Sequence, residues 1–511
     1  MPTATSIAVK PTAVLTTVPA TSAPSNQDST PTPVPAAEIS PTVPKSNLLA
    51  YDWDDRSPFI RGLIDDEAGI LNDLRGASVY HMLLNIEDPT TANGQMTVRY
   101  TNQETVDLTE IYFHLFPDQL GGAIHISDVT VNGRETSPEY VSTALRIPLT
   151  APLKPGQSVV IAMDFVTSVP QNESTKYNIL AYDEEILALA HFYPMIATFD
   201  DSGWHIEPSP PHGDETYADM SYYIVQITAP AAQTLASSGI EINHTEEGSN
   251  QTITMAAGPM RDFYLVMSDR FDVVSTSIGD IQINSYAPSE FLAGAELALD
   301  VAANAVGSFN QRFGPYPYSE LDVVSTPTLA LGIEYPGIFA NALRIYDIDD
   351  DSSSGTPNAI LLESTTAHEA GHQWFYNLVG NDQLNEPWLD EALTQYATWT
   401  YFIDRYGEQN AQGYYNSLEG RWSQIDFTEI PIGLPADAYN GAEYGAIVYG
   451  RGPIFLNELA KTIGQEPFDQ LMRDYVENYR WKIATAKDFQ ILAEEHCGCD
   501  LADLFNAWVY G

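Results

Sequence analysis

Thr365-Thr366-Ala367-His368-Glu369-Ala370-Gly371-His372-Gln373-Trp374-Phe375 contains His-Glu-x-x-His, a pattern whose chemistry depends on its being helical. On an α-helix, residues four apart lie on one face, a turn above one another. His368 and His372 then reach one metal ion, while Glu369 projects beside it without having to be a ligand. A carboxylate next to a metal-activated water is the arrangement a hydrolytic zinc site needs. The same letters also describe a buried amphipathic helix with two satisfied histidines. The choice between them rests on the rest of the chain.

At 511 residues the chain exceeds one ordinary core, which predicts two or three domains. A hydrophobic fraction of 44% supplies a large buried interior. The acids outnumber the bases 69 to 22, a formal net charge of -47, which argues against nucleic-acid binding and against attraction to anionic lipid. Cys497 and Cys499 are the only cysteines, so a disulfide framework and a zinc ribbon are both excluded, and two free thiols are expected, with a strained local ring as the alternative. No run of about 18 apolar residues is present to form a transmembrane segment.

Residues 1–50 are rich in Thr, Pro, Ala and Ser, and too poor in apolar side chains to offset chain entropy. They predict a disordered tether of the kind that separates a surface anchor from an extracellular domain. An extracellular or cell-envelope location is therefore expected, with the cytoplasm as the alternative. Phe59, Leu63, Ile70 and Leu74 predict a linking helix over 51–77. From Ser78 the period becomes two: Met96, Val98 and Tyr100 alternate with polar residues, as do Val159, Ile161, Met163 and Phe165. Asn93-Gly94, Asn132-Gly133 and Pro155-Gly156 read as turns, giving an antiparallel β domain over 78–270. The domain over 271–511 reads as mainly helical. Ser289 is placed to cap a helix running to Phe313, Leu321–Ser325 is strand-like, and helix dominates from Glu363 onward. The fold class is thus multidomain α+β.

A hydrolytic zinc site takes three protein ligands and leaves the fourth position to water. Glu391 lies in the first turns of the next helical pattern, separated from His372 by eighteen residues, and one loop returns it to the metal. Asp382, Glu386 and Asp390 are rivals, although Asp390 points about 100° away around the helix.

With Asn377-Leu378-Val379 and Trp388-Leu389-Asp390-Glu391-Ala392 added, the chain resembles the aminopeptidase N and leukotriene hydrolase family of zinc metallopeptidases. That family spaces His-Glu-x-x-His and Glu by the same eighteen residues. Its Gly-x-Met-Glu-Asn element is matched loosely by Leu331-Gly332-Ile333-Glu334-Tyr335, and its Tyr-x-Lys-Gly by Tyr449-Gly450-Arg451-Gly452. The resemblance covers about 78–511 and implies a β saddle domain followed by a thermolysin-like catalytic domain, without the helical domain that often follows.

The resemblance also implies the roles. One Zn2+ is held by His368, His372 and Glu391, with Glu369 as general base and Tyr449 donating to the oxyanion, Tyr444 being its rival. Glu334 pairs with the substrate's α-ammonium, and backbone near Gly332 pairs with the peptide. The implied function is a zinc aminopeptidase acting on peptides with a free amino terminus. An endopeptidase, an epoxide hydrolase or a non-catalytic binding protein on the same scaffold are the alternatives. The glutamine or glutamate that the family's amino-terminal domain lends to amine binding has no match that can be placed. Trp374, Phe375 and Trp388 read as core, and His191, His205 and His212 as surface or turn histidines.

Overall fold

Alternation of period two builds an eight-stranded sheet in the amino-terminal half. Its order is Ile240–Glu247, Asn250–Met260, Ser221–Pro230, Ser78–Asp88, Thr91–Thr101, Ser158–Ser168, Ala123–Val131 and Arg134–Glu135. The structure, a computed structural model, describes residues 52–171 and 176–511, so the expected tether lies outside the described residues. One face of each central strand is buried: Ala92, Met96 and Val98 on one, Val159, Ile161, Met163 and Phe165 on the next. Two four-stranded sheets accompany this one.

Three expectations for this half change. Ser78–Asp88 runs parallel to Ser221–Pro230, so the sheet is not purely antiparallel. Asn93-Gly94 lies inside Thr91–Thr101 rather than in a turn; a Cβ on Gly94 would stand 2.5 Å from Cε2 of Phe165, and glycine leaves that ring its place. The linking helix is three short turns, Ser57–Gly62, Asp65–Glu67 and Ile70–Asp73. Pro58 and the glycines at 62 and 69 interrupt the run.

A second, five-stranded sheet has the order Phe271–Ile278, Ile281–Pro288, Glu320–Thr326, Ile338–Ala342, Gly332–Tyr335. The last strand is an edge. Helix Leu292–Phe313 packs on this sheet, with Ala295, Ala298, Val301, Ala302 and Phe309 buried along its length. Ser289 does not cap it; a 3-10 turn, Ser289–Phe291, precedes the helix, and no side chain bonds its N-terminus. Helices Asn358–Gly371, Trp388–Tyr406, Glu408–Ser423, Gly452–Ile463, Gln465–Tyr479 and Ala486–Cys497 complete this half. The two cysteines are not free: Cys497 and Cys499 form a disulfide across Gly498, which ends the last of these helices in the left-handed region. The architecture is α+β, a β-rich half followed by a mainly helical one.

Candidate metal centre

Helix Asn358–Gly371 is buried along most of its length, which turns His368 and His372 into the interior. Their Nε2 atoms stand 3.2 Å apart. Asn381 and Asp382 shape the return: Asn381 Nδ2 donates to Glu386 O at 3.1 Å, and Asp382 Oδ1 accepts from Leu384 N and Asn385 N at 3.0 Å each. Glu391 then falls in the first turn of Trp388–Tyr406, where the helix dipole favours an anion. Its Oε2 lies 3.2 Å from His368 Nε2 and 3.5 Å from His372 Nε2.

Donors bound about 2.0–2.1 Å from zinc at the corners of a tetrahedron stand roughly 3.3 Å apart, so this donor set fits zinc with one corner left open. His372 Nδ1 lies 3.0 Å from Phe375 O, and donation to that carbonyl leaves Nε2 as the lone pair facing the site. Oε2 of Glu369, on the same helix, is buried and has no hydrogen-bond partner among the described residues.

Burial pushes His368 down to about 4 and keeps it neutral. It opposes charge on His372 as well, but Glu334, Glu391 and Glu369 outweigh it and raise the proton affinity of that ring well above the usual imidazole value. For Glu391, burial is overcome by hydrogen bonds and charge from both histidines, and its carboxyl falls well below the usual range. Glu369 and Glu334 are pushed upward, chiefly by burial. The concentration of carboxylates around two imidazoles is one that a divalent cation neutralises.

The remaining residues singled out from the sequence divide clearly. Tyr449 sits on a π-helical turn, Ile447–Arg451, and donates its hydroxyl to Glu391 Oε1. Tyr444 stacks edge-on 5.8 Å from it, with its own buried hydroxyl unpartnered among the described residues. Arg451 turns away, donating to Ile430 O, Ala507 O and Trp508 O. Glu334 is on the edge strand, 6% exposed, and shares the neighbourhood of Glu369 and His372. Gly332 lies against Glu369. The rivals of Glu391 are occupied elsewhere: Asp382 in its turn, Glu386 accepting from Ala486 N at 3.1 Å, and Asp390 from Gln383 Nε2 at 2.7 Å. Trp374, Phe375 and Trp388 are buried core.

Gln383 was not legible in the sequence. Its Nε2 also donates to Glu334 Oε1 at 3.0 Å, and its Oε1 accepts from Thr216, on a loop of the β half. On that loop Glu215 lies 3.3 Å from Lys176, and Asp214 is pushed well up by burial and then by Glu334, Glu391 and Asp390. His191 is not a surface residue: it is 5% exposed, with Nδ1 2.7 Å from Asp262, and its proton affinity is raised because Asp262 outweighs burial. His205 is held by Asp200 and Ser202, and His212 by Ala436 O. Nothing in their sequence spacing announces these partners.

The model of the peptidase family M1 domain matches residues 297–508. Aminopeptidase M1-B of Oryza sativa subsp. japonica is 26% identical over 278 residues, 52% of this chain and 31% of that protein. Aminopeptidase 2 of Candida albicans is 24% identical over 308 residues, 58% of this chain and 33% of that protein. The chain thus spans about a third of the length of these curated relatives. In fold it is similar to the M1 zinc metallopeptidase of Deinococcus radiodurans, with TM-score 0.63 at 17% identity, over 85% of this chain and 93% of that one. A two-domain M1 zinc metallopeptidase mutant bound to L-tryptophan gives 0.66 at 18%, over 88% and 95%. Residues 297–508 thus match a peptidase family M1 domain, in a chain whose fold is similar to that of two-domain M1 zinc metallopeptidases and whose donor set fits zinc.

Proposed function

We propose that the chain is a zinc-dependent aminopeptidase, releasing the first residue from peptides with a free amino terminus. The position of Glu334 carries this reading. One ligand atom each from Glu334, Glu369 and His372 lie within 4.8 Å of one another, so an ammonium paired with Glu334 is held a residue's length from the reacting centre. His368, His372 and Glu391 would hold the zinc, which would supply a Lewis acid for the scissile carbonyl and for water. Glu369, through its unpartnered Oε2, takes the proton of the attacking water and delivers it to the leaving amine. Tyr449 turns its hydroxyl from Glu391 to the developing oxyanion. Gly332–Tyr335 is a sheet edge, and its backbone pairs with the extended substrate.

The test is hydrolysis of aminoacyl chromogenic substrates and their acetylated forms, with and without chelator, by the unmutated protein and Glu334→Ala. Free-amine substrates should be strongly preferred, and Glu334→Ala should erase the preference. Equal cleavage of both forms would assign an endopeptidase instead. Purified protein without stoichiometric zinc, together with unchanged turnover in Glu369→Gln, would leave only a binding protein. The composition of residues 1–46 supports an extracellular or envelope-attached enzyme. No helix among the described residues is long and apolar enough to cross a membrane. Protease shaving of intact cells tests the location.

A further inference from the structure

Arg261 follows strand Asn250–Met260 of the β half, is 2% exposed, and spends its guanidinium on backbone carbonyls from elsewhere in the chain. Nη1 donates to Ala218 O at 2.8 Å, and Nη2 to Lys482 O at 2.7 Å and Leu378 O at 3.4 Å. Nε donates to Tyr376 O at 2.8 Å and Asn377 O at 2.9 Å. A buried cation is costly unless its donors are satisfied, and the planar fork suits this many acceptors where an ammonium does not. Gly380 makes the room: a Cβ there would stand 2.5 Å from Arg261 Nη1.

Three of the five acceptors belong to Tyr376–Leu378, the turn directly after the His368–His372 segment. Tyr376 has φ 127°, a conformation that a residue with a side chain keeps only when its surroundings impose it. The peptide entering Tyr376 carries Phe375 O, the acceptor 3.0 Å from His372 Nδ1. If Tyr376 relaxes to negative φ, that peptide turns and its carbonyl leaves the imidazole. Thr394 Oγ1, 3.2 Å from the same nitrogen, is then the contact that remains.

We propose that Arg261 is a positioning residue: from the β half it locks the Tyr376–Leu378 turn, so that Phe375 O holds His372 with Nε2 presented to the metal. The inference rests on the reading of His368, His372 and Glu391 as zinc ligands. Its effect is on metal affinity, because a partner of this kind orients a ligand and fixes its tautomer.

The test compares the unmutated protein with Arg261→Met, Arg261→Lys and Gly380→Ala. It uses chelator competition for zinc and the visible spectrum of the Co2+-loaded protein, and circular dichroism restricts the comparison to folded material. Arg261→Met should bind zinc about 10- to 100-fold more weakly and shift the Co2+ bands. Arg261→Lys should recover part of the loss. Gly380→Ala, which keeps the arginine but displaces its guanidinium, should weaken zinc in the same direction, and it carries the test if Arg261→Met does not fold. Folded variants with lower melting temperatures but unchanged zinc affinity and Co2+ spectrum would overturn the proposal. An unmutated protein that binds no zinc would overturn the reading of the ligands instead.

Discussion

Gly332 lies against the carboxylate of Glu369, so closely that a Cβ on the glycine would stand 2.5 Å from the carboxyl carbon. The edge strand therefore fixes how far Glu369 swings from its helix. Gly332→Ala should push the base aside and lower kcat/KM about 100-fold, the usual effect of an ångström-scale misplacement. Metal analysis should still find one zinc per chain. An unchanged kcat/KM would show that the contact does not set the base.

Tyr449 shares Glu391 with the metal set, bonding Oε1 while the histidines face Oε2. Tyr449→Phe should lower kcat by about 100- to 1,000-fold, as loss of an oxyanion donor does. KM should change little, and zinc affinity should stay within a few-fold, because the Oε2 contacts survive. Steady-state kinetics with a zinc competition assay separates these quantities.

Gln383 donates to Glu334, and that bond favours the charged carboxylate and so lowers its pKa against the upward push of burial. Gln383→Leu removes the opposing effect, and the Glu334 pKa rises further. An amine anchor must be ionised to pair, so the acid limb of kcat/KM should move to higher pH and KM for free-amine substrates should rise. A pH profile that coincides with that of the unmutated enzyme would sink the idea.

Glu386 is pushed up to about 7 by burial, with its oxygen accepting from Ala486 N. The folded pKa lies above the ordinary 4.5, so its contribution is fully present below pH 4.5 and is lost as pH rises through 7. Glu386→Gln keeps the acceptor without the charge. Thermal unfolding should show the unmutated protein losing about 2–3 kcal/mol relative to the variant between pH 4.5 and 8.

The meeting of His368, His372 and Glu391 was legible because its information is local: helical periodicity places His368 above His372, and one helix-loop-helix interval returns Glu391. The central β strands were legible for the same reason, through alternation. What failed depends on partners distant in sequence. Asn93-Gly94 has a turn's composition, but the glycine serves Phe165 across the sheet. His191 has no ligand spacing, yet Asp262, seventy-one residues on, holds it in the interior. Cys497 and Cys499 carry no signal that distinguishes two thiols from a closed ring. Gln383 sits in a loop with no pattern around it, and its partners lie on three separate segments.

Both N–H donors of the Gln383 side-chain amide are used. Its nitrogen serves Glu334 on the sheet edge and Asp390 on the helix, and its oxygen serves Thr216 in the β half. His368, His372 and Glu391 all come from the helical half, whereas the amide that donates to Glu334 is bonded from the β half as well. The β half thus reaches the centre from two sides, through Arg261 on the turn behind His372 and through Thr216 on the amide beside Glu334.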